Sequence, residues 1–232
     1  MKHLTLILLS WAGMTMCKRP VPPEPSVLLQ VWLFDQSESY NYADTDLEAI
    51  KAIVRQRAAR QPVVFTAIAV QSDSSYRQDP FVTEPMRLDT IDLHSLSIYQ
   101  RKKAAAHNNR VKARFEAELS ELSDALTDQY INIRSAPWTD LNGALSLAES
   151  ISRQAEFADA DIEIVVLSDL HHDLEEGPDS LGVFRFPSGT AVYLVGAQRQ
   201  IDSEKIFPGI VPEPKVKLHT NFFTSDKLTT DD

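Results

Sequence analysis

The stretch that decides the fold is residues 27–39, which read VLLQVWLFDQSES. Residues 27–34 are apolar apart from Gln30, a pattern typical of a strand buried on both faces of a parallel sheet. Directly after that strand come a carboxylate and two hydroxyls, on Asp35, Ser37 and Ser39. Ligands of open parallel sheets bind outside the carboxyl ends of the strands. The stretch therefore predicts a central strand that ends in a polar site.

Further apolar runs predict the rest of an α/β fold. Residues 63–70, 162–168 and 190–196 have the length and composition of buried strands. Residues 46–60 and 141–155 show the apolar periodicity of helices. Because strands and helices alternate along the chain, we expect a doubly wound, mostly parallel sheet with helices on both faces.

The segment between residues 71 and 133 is longer than this scheme needs. Residues 86–93 alternate apolar and polar side chains, which predicts one antiparallel edge strand. A long charged helix is predicted from 97 to 126, with 107–109 as a place where it can break, and 130–133 reads as a strand end or a loop. The helix carries a basic stripe, whose simplest interpretation is a solvated helix face. The basic residues are Arg101, Lys102, Lys103, Arg110, Lys112 and Arg114.

Composition and charge narrow the classes of function. The chain has 232 residues, 43% of them hydrophobic, which suits one soluble α/β domain with short additions at each end. Its formal charge of −10 argues against nucleic-acid binding, since basic surface supplies most of that affinity. The same charge attracts divalent cations. A single cysteine leaves no possibility of an internal disulfide.

The N-terminus resembles an export signal. Lys2 and His3 precede an apolar run, residues 4–13, that has the length of a signal-peptide core and is too short to span a bilayer. Cys17 and a Pro-rich stretch follow. This order resembles a bacterial lipoprotein signal, which implies lipidation of Cys17 and an envelope location, periplasmic or on the outer membrane. An ordinary secretory signal and a cytoplasmic chain are the alternatives.

The predicted organisation follows from these features. Residues 1–17 form the signal, 18–26 a Pro-rich tether, 27–223 the folded domain, and 224–232 a polar, disordered tail. The membrane is then a partner through the lipid anchor.

Polar groups follow the apolar runs at three separate places. Asp35, Ser37 and Ser39 follow the first strand, Thr139 precedes the helix at 141, and Asp169 follows the strand at 162–168. All five residues offer oxygen donors, which hard cations such as Mg²⁺ prefer. Hydroxyls in place of extra carboxylates leave such an ion under-neutralised, so it retains affinity for one more anionic oxygen.

This arrangement resembles the metal-ion-dependent adhesion site of the von Willebrand factor A (vWA) family. The Asp-x-Ser-x-Ser motif at 35–39, the Thr loop at 139–145 and the Asp strand at 165–169 occur in the family's order. The resemblance covers roughly residues 27–197. It implies that Ser37, Ser39 and Thr139 bind one Mg²⁺, Mn²⁺ or Ca²⁺ ion directly. Asp35 and Asp169 would act directly or through water, and a protein partner would supply an acidic residue to the ion.

The sequence departs from the family at two positions. Glu38 and Leu170 stand where the family often has Gly. These departures bear on the affinity of the site and on the shape of its partner. The aromatic residues Tyr40, Tyr42 and Trp138 are predicted at the rim, where exposure as binding residues and packing as core residues are equally compatible with the sequence.

Other functions fit fewer residues. The fold can serve as a structural scaffold whose metal site is unused. The sequence at 168–171, Ser-Asp-Leu-His, resembles a metal motif of calcineurin-like phosphoesterases, although that family's further motifs are missing. The chain has only seven glycines and no Gly-rich phosphate loop, and no Ser lies in a nucleophile elbow. We therefore expect a binding protein and not an enzyme.

Overall fold

A computed structural model describes residues 26–37, 40, 42, 44–72, 74, 79–133, 136–168, 182–195 and 217–219. Six strands and three α-helices make up the described part. The strands are β1 (Leu28–Asp35), β2 (Val63–Val70), β3 (Phe81–Val82), β4 (Asp161–Leu167), β5 (Ala191–Val195) and β6 (Lys217–His219). The helices are α1 (Asp44–Ala58), α2 (Ile98–Leu126) and α3 (Leu141–Ser152).

The described strands form one sheet in the order β3-β2-β1-β4-β5-β6. Neighbours pair in parallel except β3, which runs antiparallel to β2 at one edge. This confirms the predicted mostly parallel α/β sheet with one antiparallel edge strand. Since β1 lies between β2 and β4, the end of β1 lies near the centre of the carboxyl edge of the sheet.

The sheet is buried between two apolar layers because β1 presents apolar side chains to both faces. Leu29, Val31 and Leu33 pack in the layer that contains α3. Trp32 and Phe34 pack in the layer that contains α1 and the C-terminal part of α2. All eight residues of β1 are buried, as the apolar run predicts.

The antiparallel edge strand is not where the alternating pattern placed it. It consists of Phe81–Val82, and of residues 86–93 only Met86 pairs with the sheet, through an isolated bridge to Val63. Strand β2 begins at Val63, so the chain beyond Met86 has no strand left to pair with. The backbone N–H of Leu88 instead donates to the carbonyl of Ala58 at 2.8 Å. The alternation reflects Met86 and Leu88 packing against the α1–α2 layer.

Helix α2 runs without a break through 107–109, where the sequence allowed one. The Asn108 side chain is satisfied outside the helix, donating to the carbonyl of Ile91 and accepting from its N–H, both at 2.8 Å. After α2 the chain continues as a π-helical turn, Thr127–Ile131, and not as a strand end. The hydroxyl of Tyr130 in this turn donates to the carbonyl of Ala67 at 3.1 Å, which fixes the turn against β2.

Several sequence predictions lie outside the described residues. They are the signal and Cys17, most of the tether, and the tail at 224–232. Among the described helices, none has a stretch long and apolar enough to cross a bilayer. The short strand β6 pairs with β5 at the sheet edge and was not anticipated from the sequence.

Candidate functional site

The candidate site begins where β1 and β4 end side by side. Asp35 is the last residue of β1, and its side chain is fully buried. One carboxylate oxygen accepts from the backbone N–H of Ser37 at 2.8 Å, and the other accepts from the Ser168 hydroxyl at 2.5 Å. Ser168 follows β4 directly and is also fully buried. The Asp35 carboxylate therefore joins the two strand ends and holds the chain after β1 in a tight turn.

The loop that precedes α3 is joined to the same turn through the backbone. Ser37 forms a parallel bridge with Ala136, whose N–H donates to the carbonyl of Gln36 at 3.4 Å. The Gln36 side chain donates to the carbonyl of Gln129 at 3.0 Å in the π-helical turn. These contacts bring the second predicted loop to the end of β1, although more than ninety residues separate them in sequence.

Thr139 and Asp140 lie in this second loop and differ in what surrounds them. Thr139 is only 4% exposed. Asp140 caps α3, because one of its oxygens accepts from the N–H of Gly143 at 2.8 Å. The other accepts from the N–H of Ser74 at 2.9 Å, and the Asp140 N–H donates to the carbonyl of Gln71 at 2.9 Å. Asp140 thus clamps the loop after β2 to the start of α3.

The tyrosines of the rim pack into the domain. The ring of Tyr40 is 9% exposed and meets that of Tyr42 edge-on, with centroids 4.8 Å apart. The Tyr42 hydroxyl donates to the carbonyl of Asp35 at 2.8 Å. Burial raises the pKa of Tyr130, whose ring lies 5.3 Å from that of Phe34. Tyr42 and Trp138 are both half-buried and keep some exposed surface.

Three of the five predicted ligands can be located. Asp35, Ser37 and Thr139 all lie at the carboxyl edge of the sheet, within loops that hydrogen bonds tie together. Ser39 and Asp169 lie outside the described residues, as do His171 and the rest of the 168–171 motif beyond Ser168. Among the described residues, no group of three or more His, Cys, Asp and Glu side chains is placed to hold a metal ion. Two of the three located ligands, Ser37 and Thr139, are hydroxyl donors.

Two residues of this edge were not recognised from the sequence as parts of the site. The Ser168 hydroxyl donates to Asp35 and orients its carboxylate, and the backbone N–H of Ser74 donates to the carboxylate of Asp140. The position of Ser168 after a buried strand is only a weak indication of a site residue, because its partner Asp35 is 133 residues away in the sequence. Ser74 cannot be recognised from its residue type, because it contacts Asp140 through its backbone N–H, which donates to the carboxylate.

A second polar cluster lies at the opposite, amino-terminal edge of the sheet. Arg57 of α1 forms an ion pair with Glu163 of β4 at 2.7 Å, and the Gln30 amide donates to the same carboxylate at 2.7 Å. Burial and then the charge of Glu163 raise the pKa of Tyr193 to about 12. Every charged member of this cluster has a partner, so it reads as a structural ion pair in a mostly apolar layer.

No protein-family model matches the chain, and no curated protein matches it in sequence. The side chains at the carboxyl edge of the sheet and the surfaces around them are the features that bear on its function.

Proposed function

We propose that this chain is a vWA-like binding domain that holds one divalent cation at the carboxyl edge of its sheet and uses it to bind an acidic residue of a protein partner. The observation that carries the proposal is the junction at Asp35. Its carboxylate accepts from Ser37 and Ser168, so the ends of β1 and β4 are locked together around a polar centre. The loop of Thr139 is joined to the same centre through Ala136.

The donor set suits a hard cation. Ser37 and Thr139 offer neutral oxygens, and Asp35 offers a charge, which fits Mg²⁺, Mn²⁺ or Ca²⁺. A carboxylate has about four lone-pair sites, and two of those on Asp35 already accept protein donors. Asp35 is therefore better suited to hold a water on the ion than to contact it with both oxygens. Ser39 and Asp169 are the other proposed ligands.

A partly neutralised ion explains why a partner would bind. With hydroxyls as the direct ligands, the ion retains net positive charge, and a partner's Asp or Glu would neutralise it. The half-buried Trp138 lies one residue before Thr139 and would contribute apolar contact at the rim. The proposed partner is thus a protein with an exposed carboxylate.

Calorimetric titration of the full chain in detergent with Mg²⁺, Mn²⁺ and Ca²⁺ tests the proposal. We expect one ion to bind and its affinity to fall at least about tenfold in Ser37→Ala and Thr139→Ala, since even residues that only orient a metal ligand change affinity by that much. Ser146→Ala is the matched control, because it removes an exposed hydroxyl from α3, the helix that follows Thr139, and Ser146 is not a proposed ligand. Crosslinking in the cell envelope should then capture a protein partner, and both chelator added before the crosslinker and Thr139→Ala should abolish that capture.

A structural scaffold is the second candidate, favoured by the same hydrogen bonds of Asp35. A carboxylate that accepts from Ser37 and Ser168 can stabilise the strand ends with no ion present. If none of the three cations binds, or if binding is equal in the wild type, Ser37→Ala and Thr139→Ala, the metal proposal is wrong and the scaffold function replaces it.

A further inference from the structure

Half of α2 extends past the rest of the domain. Arg55, in the last turn of α1, forms a bidentate ion pair with Glu116 of α2 at 2.9 and 2.8 Å. Helix α1 runs back from the carboxyl edge of the sheet, so its last turn lies at the amino-terminal edge. The part of α2 that precedes Glu116 therefore lies beyond that edge. Residues 98–114 span about 25 Å at 1.5 Å per residue.

We call residues 88–114 the arm, and hydrogen bonds give it a defined structure. Of residues 98–114, only Ala104 is buried. Their inner side is held by the preceding chain, where Asn108 bonds both backbone groups of Ile91 and Arg101 donates to the carbonyl of Leu96 at 2.8 Å. At the start of α2 the N–H of Ser97 donates to the Gln100 side chain at 3.1 Å. The arm is thus a built element and not a frayed helix end.

The arm has the opposite charge from the rest of the chain. It contains six basic and two acidic residues, a formal charge of +4, which leaves −14 for all other residues. Arg101, Lys102 and Lys103 stand at the start of α2, whose first turn has no acidic residue. Cations near a helix N-terminus oppose the helix dipole. Arg101 offsets this effect by donating to the carbonyl of Leu96, so it is Lys102 and Lys103 whose position does not serve the stability of the helix.

The end of the arm that lies farthest from the domain, at the start of α2, combines these cations with exposed apolar side chains. Ile98 is 87% exposed and Tyr99 is 89% exposed, the highest exposures among the large hydrophobic residues described. Tyr99, Lys103, Ala106 and Arg110 recur at intervals of three and four residues and are all exposed, so they line one outward face of the helix. An aromatic ring with a polar tip beside cations is the composition that favours the interface of an anionic bilayer.

The arm lies at the edge where the predicted membrane tether joins the domain. Ser26 lies two residues before β1, so the chain enters at the amino-terminal edge, and the Ser26 hydroxyl donates to Asp161 at the start of β4. Ten residues, 18–27, separate the predicted lipid anchor Cys17 from β1, and fully extended they reach at most about 35 Å. The arm and the tether thus have similar reach from the same edge, while the candidate metal site lies at the opposite edge.

The length of the arm has an electrostatic reason. A body with a formal charge of −14 is repelled by an anionic surface, but salt screens charges over about 8 Å at physiological ionic strength. At about 25 Å, the end of the arm is about three screening lengths from the body. The local cations therefore govern how the end of the arm meets a charged surface.

We propose that the arm is a membrane-contacting element that places Tyr99, Ile98 and the cations beside them on an anionic phospholipid surface. The contact holds the domain upright on its tether and directs the carboxyl edge of the sheet away from the bilayer. The proposal does not depend on the metal site, so chelator should leave membrane binding unchanged.

Flotation of the full chain with vesicles tests the charges of the arm. The apolar N-terminal run contributes equally to all variants, so vesicles of phosphatidylcholine alone are compared with vesicles that also contain phosphatidylglycerol. We expect Lys102→Gln/Lys103→Gln to weaken binding to the anionic vesicles about 25-fold, at about fivefold per lysine, and to leave neutral vesicles unaffected. Lys51→Gln/Arg185→Gln removes the same charge elsewhere and should have little effect. Equal losses in both double variants, or none in either, would overturn the proposal.

The apolar contact and the identity of the surface need two further measurements. Ile98→Ser/Tyr99→Ser should weaken binding to anionic vesicles, whereas Val82→Ser/Val183→Ser, at exposed apolar positions outside the arm, should not. A photocrosslinking amino acid at Ala106 should capture phospholipid when the chain is expressed in cells. Capture of a protein in place of lipid would overturn the proposal and make the arm a protein-docking surface.

Discussion

Replacing Asp140 with alanine should destabilise the domain by about 3 kcal/mol. The change removes the cap of α3, a loss of about 1 kcal/mol for a typical N-cap. It also removes the acceptor for the N–H of Ser74, a fully buried residue, and an unsatisfied buried donor costs about 1–3 kcal/mol. Asp140→Asn should cost only about 1–2 kcal/mol, because asparagine caps helices as well as aspartate does while its amide cannot serve both donors.

Urea unfolding followed by circular dichroism measures these differences. Performed in chelator, it separates the clamp from any bound ion. We expect the midpoints to fall in the order wild type, Asp140→Asn, Asp140→Ala, with an unchanged m-value because the folded core is the same. The melting temperature of Asp140→Ala should fall by about 6–12 °C, at about 2–4 °C per kcal/mol for a domain of this size. The exposed Asp159→Ala control should stay within about 0.5 kcal/mol of wild type. If Asp140→Ala were as stable as this control, the proposed role of Asp140 in joining the loop after β2 to α3 would be wrong.

Three further predictions concern the two apolar layers. Arg57→Met should lower the free energy of unfolding by about 3–5 kcal/mol, because it leaves the buried Glu163 without its ion-pair partner. Urea unfolding of the double variant Arg57→Met/Glu163→Gln should show that most of this stability is recovered. Because burial raises the pKa of folded Tyr193 to about 12, above its unfolded value of about 10, wild-type stability should fall as the pH rises from 10 through 12. In Tyr193→Phe, the urea midpoint should fall less over the same pH range. Leu119→Ala, at a fully buried position in the C-terminal half of α2, should lower the free energy of unfolding by about 2–5 kcal/mol, whereas Tyr99→Ala in the arm should stay within about 0.5 kcal/mol of wild type. Equal effects at these two positions would contradict the described burial of α2.

The edge strand and the arm show where sequence patterns mislead. Residues 86–93 alternate as an edge strand does, but pairing also needs a partner strand, and β2 begins only at Val63. In α2 the run 107–109 looked like a helix break, because asparagine favours turns and caps. The Asn108 side chain finds its partners at Ile91, so tertiary contacts remove the competition that would have opened the helix.

The candidate site also has features that follow from local sequence and features that depend on distant residues. That Asp35 ends a buried strand follows from the apolar run before it, and that Asp140 caps α3 follows from its place before an amphipathic segment, because both features are local. The second contact of Asp140 is not local, because its other carboxylate oxygen accepts from the N–H of Ser74, 66 residues away.

Side-chain periodicity alone predicts the buried strands β1, β2, β4 and β5, the helices, and the polar residues at the ends of two strands. The hydrogen bond between Ser168 and Asp35 across 133 residues, and the position of half of α2 beyond the sheet, depend on tertiary packing. The two groups of features differ in the range of the interactions that produce them. Burial patterns repeat every two or 3.6 residues and are written locally, whereas the partner of a hydrogen bond and the reach of a helix depend on how distant segments pack.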